Sequence, residues 1–429
     1  MILKKKNTLV ALLIIGFVLL VKGYFLFTTF NHNNLTEATV SKSGDAGHYF
    51  KIAKNIAEFY SYADDNSATA NESATWRPPV WPFILSFFFY VSKNPLSLLV
   101  CKIIFETLIL VSALFYFKKK NSYPILFFSL LLLLLIEPQY LKYSATFLSE
   151  SFTAILALLF MLLFLGLKTQ YRFHILIPII AAITVLCHPV SVFFVVTLLG
   201  IYLLFNVKKH FKIGLLHGFL FLAIVLLWPI RNHLLFDKGL YLTASQGATF
   251  SKGWNEKVLT NFTNVDGDLA DESLNLKYVD SNKIIQSEKG VLEYSKLYQQ
   301  GTWHYIKSLN FSDQLKIAFK KLSSNFNPFP EKPKAGFFEK LSVVFRILYL
   351  VLFAQLFIRI LSRKKIDFSA TRDKAFMVVF AVFIGQVMMS VYIYTGFRFN
   401  SIYSLTLLLC FMLVNENWIS EKIIRRLKL

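Results

Sequence analysis

Cysteine is scarce in this 429-residue sequence, and internal repeats are absent. The three cysteines, Cys101, Cys187 and Cys410, all lie inside apolar runs, which argues against a disulfide framework and against a thiolate zinc site. No motif or helix spacing recurs along the chain, so nothing indicates the inverted halves of many transporters. The first apolar run also lacks a small-residue cleavage site, and we therefore interpret it as an uncleaved span.

Acidic residues are also few, with 25 Asp and Glu against 46 Lys and Arg, a formal net charge of +21. A soluble protein with this charge would suggest a nucleic-acid partner. Here, however, 55% of the residues are hydrophobic, and apolar runs long enough to cross about 30 Å of hydrocarbon recur along the chain. Lys and Arg cluster in the short loops between these runs, as the positive-inside rule describes. The sequence thus predicts an integral membrane protein that contacts membrane lipids and no nucleic acid.

The positions of the basic loops predict an all-α polytopic fold with about ten transmembrane helices. Each loop or tail assigned to the cytoplasm contains Lys or Arg. The apolar run 80–91 is interpreted as an interfacial or re-entrant helix, because a full span there would place Lys118, Lys119 and Lys120 outside. The predicted spans are 9–30, 96–117, 124–136, 150–167, 173–187, 190–205, 213–228, 341–361, 375–394 and 401–414.

This topology divides the chain into three parts. An N-terminal transmembrane module covers 1–231 and includes a first outer loop at 31–79. The polar segment 232–340 is too long for a connecting loop and is predicted to be an extracytoplasmic domain. The C-terminal transmembrane helices cover 341–429.

The first outer loop carries the most informative acidic residue. In the stretch that begins at Ser43, apolar residues share one face of a predicted amphipathic helix, and Asp45 lies where an N-cap would be. Asp is a good cap, which explains the residue without any catalytic role. A carboxylate at the membrane surface could equally act as a general base for a hydroxyl nucleophile.

Further charged residues lie at the predicted outer ends of spans. Arg77 precedes Pro78 and Pro79 and fits either a snorkelling anchor or a bidentate contact to a substrate phosphate. Lys142 and Glu150 lie at the next outer loop, where Glu150 is either a helix-start carboxylate or a second acid of the same cleft.

Two more stretches complete the pattern. The seventh span ends in Pro229-Ile230-Arg231-Asn232, and Gly396-Phe397-Arg398-Phe399 precedes the last span. In this order, together with the loops above, they resemble the bacterial lipid-carrier-dependent glycosyltransferases of the GT-C superfamily, which include relatives of protein O-mannosyltransferases and of aminoarabinose transferases. The resemblance implies a GT-C-like helical bundle in the bacterial cytoplasmic (inner) membrane, with its active site facing outward.

The resemblance also implies a reaction and roles for residues. A sugar would pass, with inversion, from a polyprenyl-phosphate-linked donor to a hydroxyl of a lipid, glycan or protein acceptor, and Asp45 would be the catalytic base. Glu150 is the second acidic candidate, and no cofactor is certain, although a divalent metal stays open. Donor-phosphate binding is expected from Arg231, Arg398, Lys142 and Arg77. Candidate substrate contacts are His48, Tyr49, His188 and Asn232, although a lone His at a helix end is more often a structural hydrogen-bonding residue.

Two rival functions remain. A transporter or flippase of lipid-linked sugars is suggested by Lys102 and Glu106, an i to i+4 pair near the middle of the second span. A polysaccharide polymerase or ligase would share the lipid substrate and the large outer segment. Most other polar candidates gather at the outer ends of spans, which favours a surface cleft over a path through the midplane.

Overall fold

A computed structural model describes most of the chain. The described residues are 2–29, 35–65, 67–118, 136–166, 175–260, 271–281, 284, 290–327, 329, 337–362, 367, 370–393 and 397–415. The third predicted span, 124–136, lies almost entirely outside them, as do the loop at 363–365 and the tail at 422–428.

The described part of the chain is helical and contains no strand. The helices of its first half are α1 (Ile2–Thr29), α2 (Glu37–Ser41), α3 (Gly44–Phe59), α4 (Val80–Phe89), α5 (Pro95–Lys118), α6 (Pro138–Ser144), α7 (Glu150–Leu165) and α8 (Leu176–Cys187). Those of its second half are α9 (Val192–Phe236), α10 (Gln246–Gly253), α11 (Glu256–Thr260), α12 (Val291–Ser308), α13 (Phe311–Phe326), α14 (Phe337–Leu361), α15 (Thr371–Tyr392) and α16 (Phe397–Val414).

The protein is a polytopic membrane protein, as its sequence predicts. In the described residues, four helical segments are long and apolar enough to cross a membrane: Pro95–Ala113, Phe211–Phe236, Lys340–Leu361 and Thr371–Tyr392. Six shorter apolar segments accompany them, at Ile15–Thr28, Val80–Phe89, Glu150–Leu165, Leu176–Cys187, Pro189–Leu204 and Arg398–Val414. Apart from Val80–Phe89, each coincides with one of the predicted spans.

Helix α4 is short, as expected for an interfacial or re-entrant helix. Its 10 residues span about 15 Å, half of a hydrocarbon core. The residues just before and just after α4 both contact α3. Arg77 pairs with Asp45 at the start of α3, and Lys93 pairs with Glu58 near the end of α3, at 2.8 Å. Helix α4 therefore lies along α3.

Helix α9 is a helical hairpin, although its 45 residues form one continuous element. The ring of Tyr202 stacks on that of His217 with centroids 5.6 Å apart, whereas 15 residues of straight helix would separate them by about 22 Å. The chain must double back between these two residues. This confirms two antiparallel spans, where the sequence predicts the sixth and the seventh.

Burial within the bundle separates a central helix from peripheral ones. Nearly every residue of α7 is buried, because α5, α8, α15 and α16 all pack against it. By contrast, large apolar side chains are exposed along the second arm of α9 and along α14, among them Leu216, Phe219, Leu222, Val351 and Ile358. Helices with such faces fit a lipid environment, where apolar exposure costs nothing.

The polar segment after α9 forms a small lobe that packs on one end of the bundle. Trp254 Nε1 donates to the carbonyl of Val391 at 2.8 Å, and Lys321 Nζ donates to the carbonyl of Ile393 at 3.1 Å. The Lys321 ammonium also lies 4.2 Å from the centroid of the Trp254 ring. The lobe thus binds the last turn of α15, immediately before the segment that leads to Arg398.

We expect Gly247→Ala to destabilise this lobe. A Cβ at Gly247 would lie 1.7 Å from the Ser295 carbonyl oxygen, so α10 would have to move away from α12. Overpacking of this kind lowers the free energy of unfolding by about 1–3 kcal/mol. The measurement is the thermal midpoint in detergent, with Gly218→Ala as control because a Cβ there meets nothing within 4 Å. A midpoint for Gly247→Ala at or above wild type would refute the prediction.

The hairpin in α9 predicts opposite accessibility for two engineered thiols. In a variant without the native cysteines, Lys307→Cys, in α12 of the lobe, should react with an impermeant maleimide added to intact cells. Lys212→Cys, near the turn of the hairpin, should react only after the membrane is opened. Both positions are exposed. Labelling of both thiols in intact cells would contradict the hairpin topology.

Candidate active site

Asp45 lies in the first turn of α3, not at its cap. The N-cap is Ser43, which makes no side-chain capping bond, so the capping explanation of Asp45 does not hold. Gly44 begins the helix with φ +55°, a left-handed conformation that favours glycine. This start leaves the Asp45 carboxylate directed at two arginines from distant parts of the chain.

Arg77 is the first of these arginines. It follows a 3₁₀ turn at Ser73–Trp76 and has extended backbone geometry, as expected for a residue before proline. Its Nη2 donates to Asp45 Oδ1, and its guanidinium lies 5.4 Å from the centroid of the Tyr49 ring. The Pro-Pro sequence therefore holds Arg77 over α3, where it pairs with Asp45.

Arg398 is the second arginine, and it bridges two carboxylates. Its Nη1 lies 2.6 Å from Asp45 Oδ2, and its Nε donates to Glu150 Oε1. Glu150 is the first residue of α7 and is entirely buried. The structure thus brings together Asp45, Arg77, Arg398 and Glu150, which we call the ion-pair cluster.

Electrostatics within the cluster favour the ionised carboxylate of Asp45. Burial alone would raise its pKa, but the guanidinium groups of Arg77 and Arg398 outweigh burial and hold the pKa of Asp45 well below its usual range. The Asp45 side chain keeps 34% exposure, whereas those of Arg77 and Arg398 keep 12% and 13%. The accessible group at this point is therefore a carboxylate flanked by two cations.

His188 and Tyr49 border the cluster. His188 Nε2 lies 3.9 Å from Glu150 Oε1, beyond hydrogen-bond distance, and burial lowers the pKa of His188 to about 4. The imidazole is consequently neutral near pH 7. The Tyr49 hydroxyl lies 3.2 Å from Ser149 Oγ, and burial raises the pKa of Tyr49, so the hydroxyl keeps its proton.

A cavity of about 680 Å³ opens over the cluster. Its charged wall comes from Asp45, Arg77 and Arg398, and a polar wall comes from the 243–252 segment of the lobe. A third wall is apolar and is formed by Val190, Val192, Phe193, Ile393 and Phe399. Glu150 is not part of the lining and lies behind Arg398.

Other residues predicted for the site lie elsewhere. Arg231 is not among the lining residues. Its guanidinium lies 4.7 Å from the centroid of Trp228 and donates to Asn232 Oδ1 at 2.9 Å. Asn232 is buried, and Lys142 is exposed beside Tyr143. His48 is also outside the lining, with Nε2 4.0 Å from Asp64 Oδ2.

Sequence reasoning missed the apolar wall and Ser149. Val190, Val192 and Phe193 belong to a run predicted to cross the membrane. In such a run, the sequence does not distinguish apolar residues that line a cavity from those that face lipid. Ser149 could have been noticed as a polar residue beside Glu150 at a helix start. The contact of Ser149 with Tyr49 could not have been predicted, because the two residues are 100 positions apart in the sequence.

A metal site is not assembled from the described residues. No group of three or more His, Cys, Asp or Glu side chains among them is placed to hold an ion. Asp45 and Glu150 are both engaged by Arg398, and His188 approaches only Glu150. These side chains do not fit a protein-held divalent cation.

Comparisons with known proteins give structural similarity only. No protein-family model matches the sequence, and no curated protein matches it. The oligosaccharyltransferase of Archaeoglobus fulgidus, solved in its apo form, matches with a TM-score of 0.48 and 12% identity over 97% of this chain and 52% of its own. The chain therefore spans about half the length of that protein.

A second solved structure also matches. It is ArnT from Cupriavidus metallidurans bound to undecaprenyl phosphate, with a TM-score of 0.44 and 12% identity over 96% of this chain and 79% of its own. At such low identities and TM-scores, neither similarity identifies the reaction of this chain.

The ion-pair cluster predicts how stability depends on pH. Because the pKa of Asp45 is lower in the folded chain than the value of about 3.9 typical of unfolded chains, the unfolded state binds a proton first as pH falls. The contribution of Asp45 is thus complete above about pH 5 and is lost as pH falls through about 4 toward the folded pKa. Asp45→Asn should lower the thermal midpoint at pH 7 and flatten its fall on acidification.

The control for this measurement is Asp65→Asn, since Asp65 is exposed and lies outside the ion-pair cluster. Its midpoint should follow that of wild type across the acid range. Parallel curves for wild type and Asp45→Asn would contradict the assignment of the pH dependence to the cluster.

Proposed function

We propose that the protein transfers a sugar from a polyprenyl-phosphate-linked donor to an acceptor hydroxyl, with inversion at the anomeric carbon, on the outer face of the membrane. The observation that carries the proposal is the carboxylate of Asp45 held between Arg77 and Arg398 in the wall of a cavity. This arrangement offers a proton acceptor and two cations within one small volume.

The two arginines are suited to a phosphate. Guanidinium groups bind phosphate oxygens through parallel, charge-assisted hydrogen bonds. As the glycosidic bond breaks, negative charge grows on the departing phosphate, so fixed cations stabilise the transition state more than the ground state. Arg77 contacts Oδ1 of Asp45 and Arg398 contacts Oδ2, so the two guanidinium groups are close enough to contact one phosphate together.

Asp45 is suited to the acceptor. Inverting transfer needs a base on the face of the sugar opposite to the leaving group. The acceptor oxygen forms a bond to the anomeric carbon, its proton passes to the Asp45 carboxylate, and the electron pair of the breaking C–O bond leaves with the polyprenyl phosphate. Asp45 retains enough exposure for a hydroxyl to reach it.

Donor binding would also make Asp45 a stronger base. While both guanidinium groups contact Asp45, its pKa is too low for efficient proton acceptance near neutral pH. A phosphate anion that draws one arginine toward itself weakens that pairing and raises the proton affinity of Asp45. Proton transfer is thereby favoured only when the donor is present.

The shape and composition of the cavity agree with an amphiphilic donor. Its charged wall suits a phosphate, and its polar wall carries Thr243, Ser245 and Gln246, side chains that can hydrogen-bond sugar hydroxyls. Its apolar wall, at the starts and ends of the membrane helices, suits the first part of a prenyl chain. The outward orientation rests on the basic loops of the sequence.

The observation that suggested a transporter has another explanation. Lys102 and Glu106 lie 3.6 Å apart and are both buried, but Lys102 donates to backbone carbonyls and Glu106 accepts from Ser151. Both side chains are thus engaged in holding protein segments together. The pair no longer favours transport over transfer.

We expect Asp45→Asn to lower sugar transfer by about 10²–10⁴-fold, the usual contribution of a general base. The assay uses full-length protein in membranes with synthetic, labelled polyprenyl-phosphate hexoses and pentoses, and NMR of the product reports the anomeric configuration. Asp65→Asn is the matched control and should keep wild-type activity at equal protein abundance. Full activity of Asp45→Asn would overturn its role as base.

Transfer and transport are separated in reconstituted vesicles. The proposal expects sugar to disappear from the donor lipid and polyprenyl phosphate to accumulate. Movement of intact donor between leaflets without its consumption would contradict the proposal and favour a flippase.

A further inference from the structure

The segment that carries Glu150 is held by a buried lysine of another helix. Lys102, in α5, is completely buried. Its Nζ donates to the carbonyl oxygens of Tyr143 at 2.8 Å, Leu148 at 3.2 Å and Thr146. An ammonium group has three donors, so its full capacity is used by the end of α6 and the chain between α6 and α7.

A second contact from α5 holds the other side of Glu150. Glu106, one turn after Lys102, accepts a hydrogen bond from Ser151 Oγ at 2.7 Å. Ser151 lies in the first turn of α7, directly after Glu150. Helix α5 therefore contacts the chain on both sides of Glu150.

Helix α4 contributes to the same arrangement. Trp81 Nε1 donates to the carbonyl of Phe147 at 2.7 Å, and the Lys102 ammonium lies 5.2 Å from the centroid of the Trp81 ring. Removing the Lys102 ammonium would take a donor from the part-buried carbonyls of Thr146 and Leu148, whereas the Tyr143 carbonyl would still accept from Thr146 and Ser151. The segment would then have to move to find new partners.

From these contacts we infer that Lys102 and Glu106 are positioning residues of the proposed reaction, which fix Glu150 so that Glu150 can fix Arg398. Neither residue lines the cavity, and neither touches the position of the substrate. The chain of contacts runs from Lys102 and Glu106 to the 143–151 segment, from Glu150 to Arg398, and from Arg398 to Asp45. The inference rests on the proposed function for its activity readout only.

The test compares two lysine-to-methionine variants of the full-length protein. Lys102→Met removes the donors to the 143–148 carbonyls. Lys22→Met is the matched control, because Lys22 is equally buried in the bundle but donates to the side chains of Thr107 and Tyr140. Hydrogen exchange followed by mass spectrometry should show faster exchange in the 144–152 peptide for Lys102→Met, on the order of tenfold, and unchanged exchange there for Lys22→Met.

Activity supplies the second readout. Lys102→Met should lower kcat/KM for transfer from the polyprenyl-phosphate donors on the order of 10²-fold, as misplacement of a catalytic group does. In a Glu150→Gln background, Lys102→Met should lower kcat/KM by less than about threefold, because the effects of residues that act through one another are not additive. A general loss of folding would instead reduce activity by the same factor in both backgrounds.

A third variant keeps the test decisive if Lys102→Met folds poorly. Ser151→Ala removes the hydrogen bonds from Ser151 Oγ to Glu106 and to the Tyr143 carbonyl, and it should give faster exchange in the same peptide together with a smaller loss of activity. Exchange in 144–152 that matches wild type, or additive losses with Glu150→Gln, would overturn the inference. If wild type consumes no polyprenyl-phosphate sugar, the proposed function fails, while the exchange measurement still decides whether Lys102 positions this segment.

Discussion

The mutual neutralisation of two carboxylates and two guanidinium groups is the interaction on which this end of the bundle depends. Arg398 contacts both Asp45 and Glu150, and Arg77 contacts Asp45 from the other side. A charge buried alone at a membrane boundary is costly, whereas paired and hydrogen-bonded charges tolerate burial. The helices that carry these side chains must therefore keep their relative positions. The cavity and its proposed chemistry follow from that constraint, since Asp45, Arg77 and Arg398 form one of its walls and Glu150 holds Arg398 from behind.

The rest of the structure supports this cluster from two directions. Helix α5 binds the chain on either side of Glu150 through Lys102 and Glu106. Beside it, the polar lobe binds the last turn of α15 through Trp254 and Lys321, immediately before the segment that leads to Arg398. Both supports use buried side chains that donate to backbone carbonyls. Bonds of this kind depend on backbone position, so a small shift of either support would be transmitted to the cluster.

Much of the fold could be predicted from the sequence, because long apolar runs predict the membrane spans and basic loops predict their orientation. The same rule separated the two arms of the α9 hairpin. Within the site, the predicted topology placed Asp45, Arg77, Glu150 and Arg398 on one outer side, but it placed Arg231 there as well. The position of Arg231 could not be predicted, since a helix end does not reveal that its guanidinium lies over Trp228. The apolar wall of the cavity was equally hidden, because lipid-facing and cavity-facing apolar residues look alike in one sequence.

A structure of the full-length protein with a polyprenyl phosphate bound would test the central claim most directly. The account predicts the phosphate within hydrogen-bond distance of both Arg77 and Arg398, with Asp45 released from at least one of them and the prenyl chain along Val192 and Phe193. It also predicts that Glu150 still contacts Arg398. A phosphate bound instead beside Arg231 or Lys142, with the ion-pair cluster unchanged, would contradict the account.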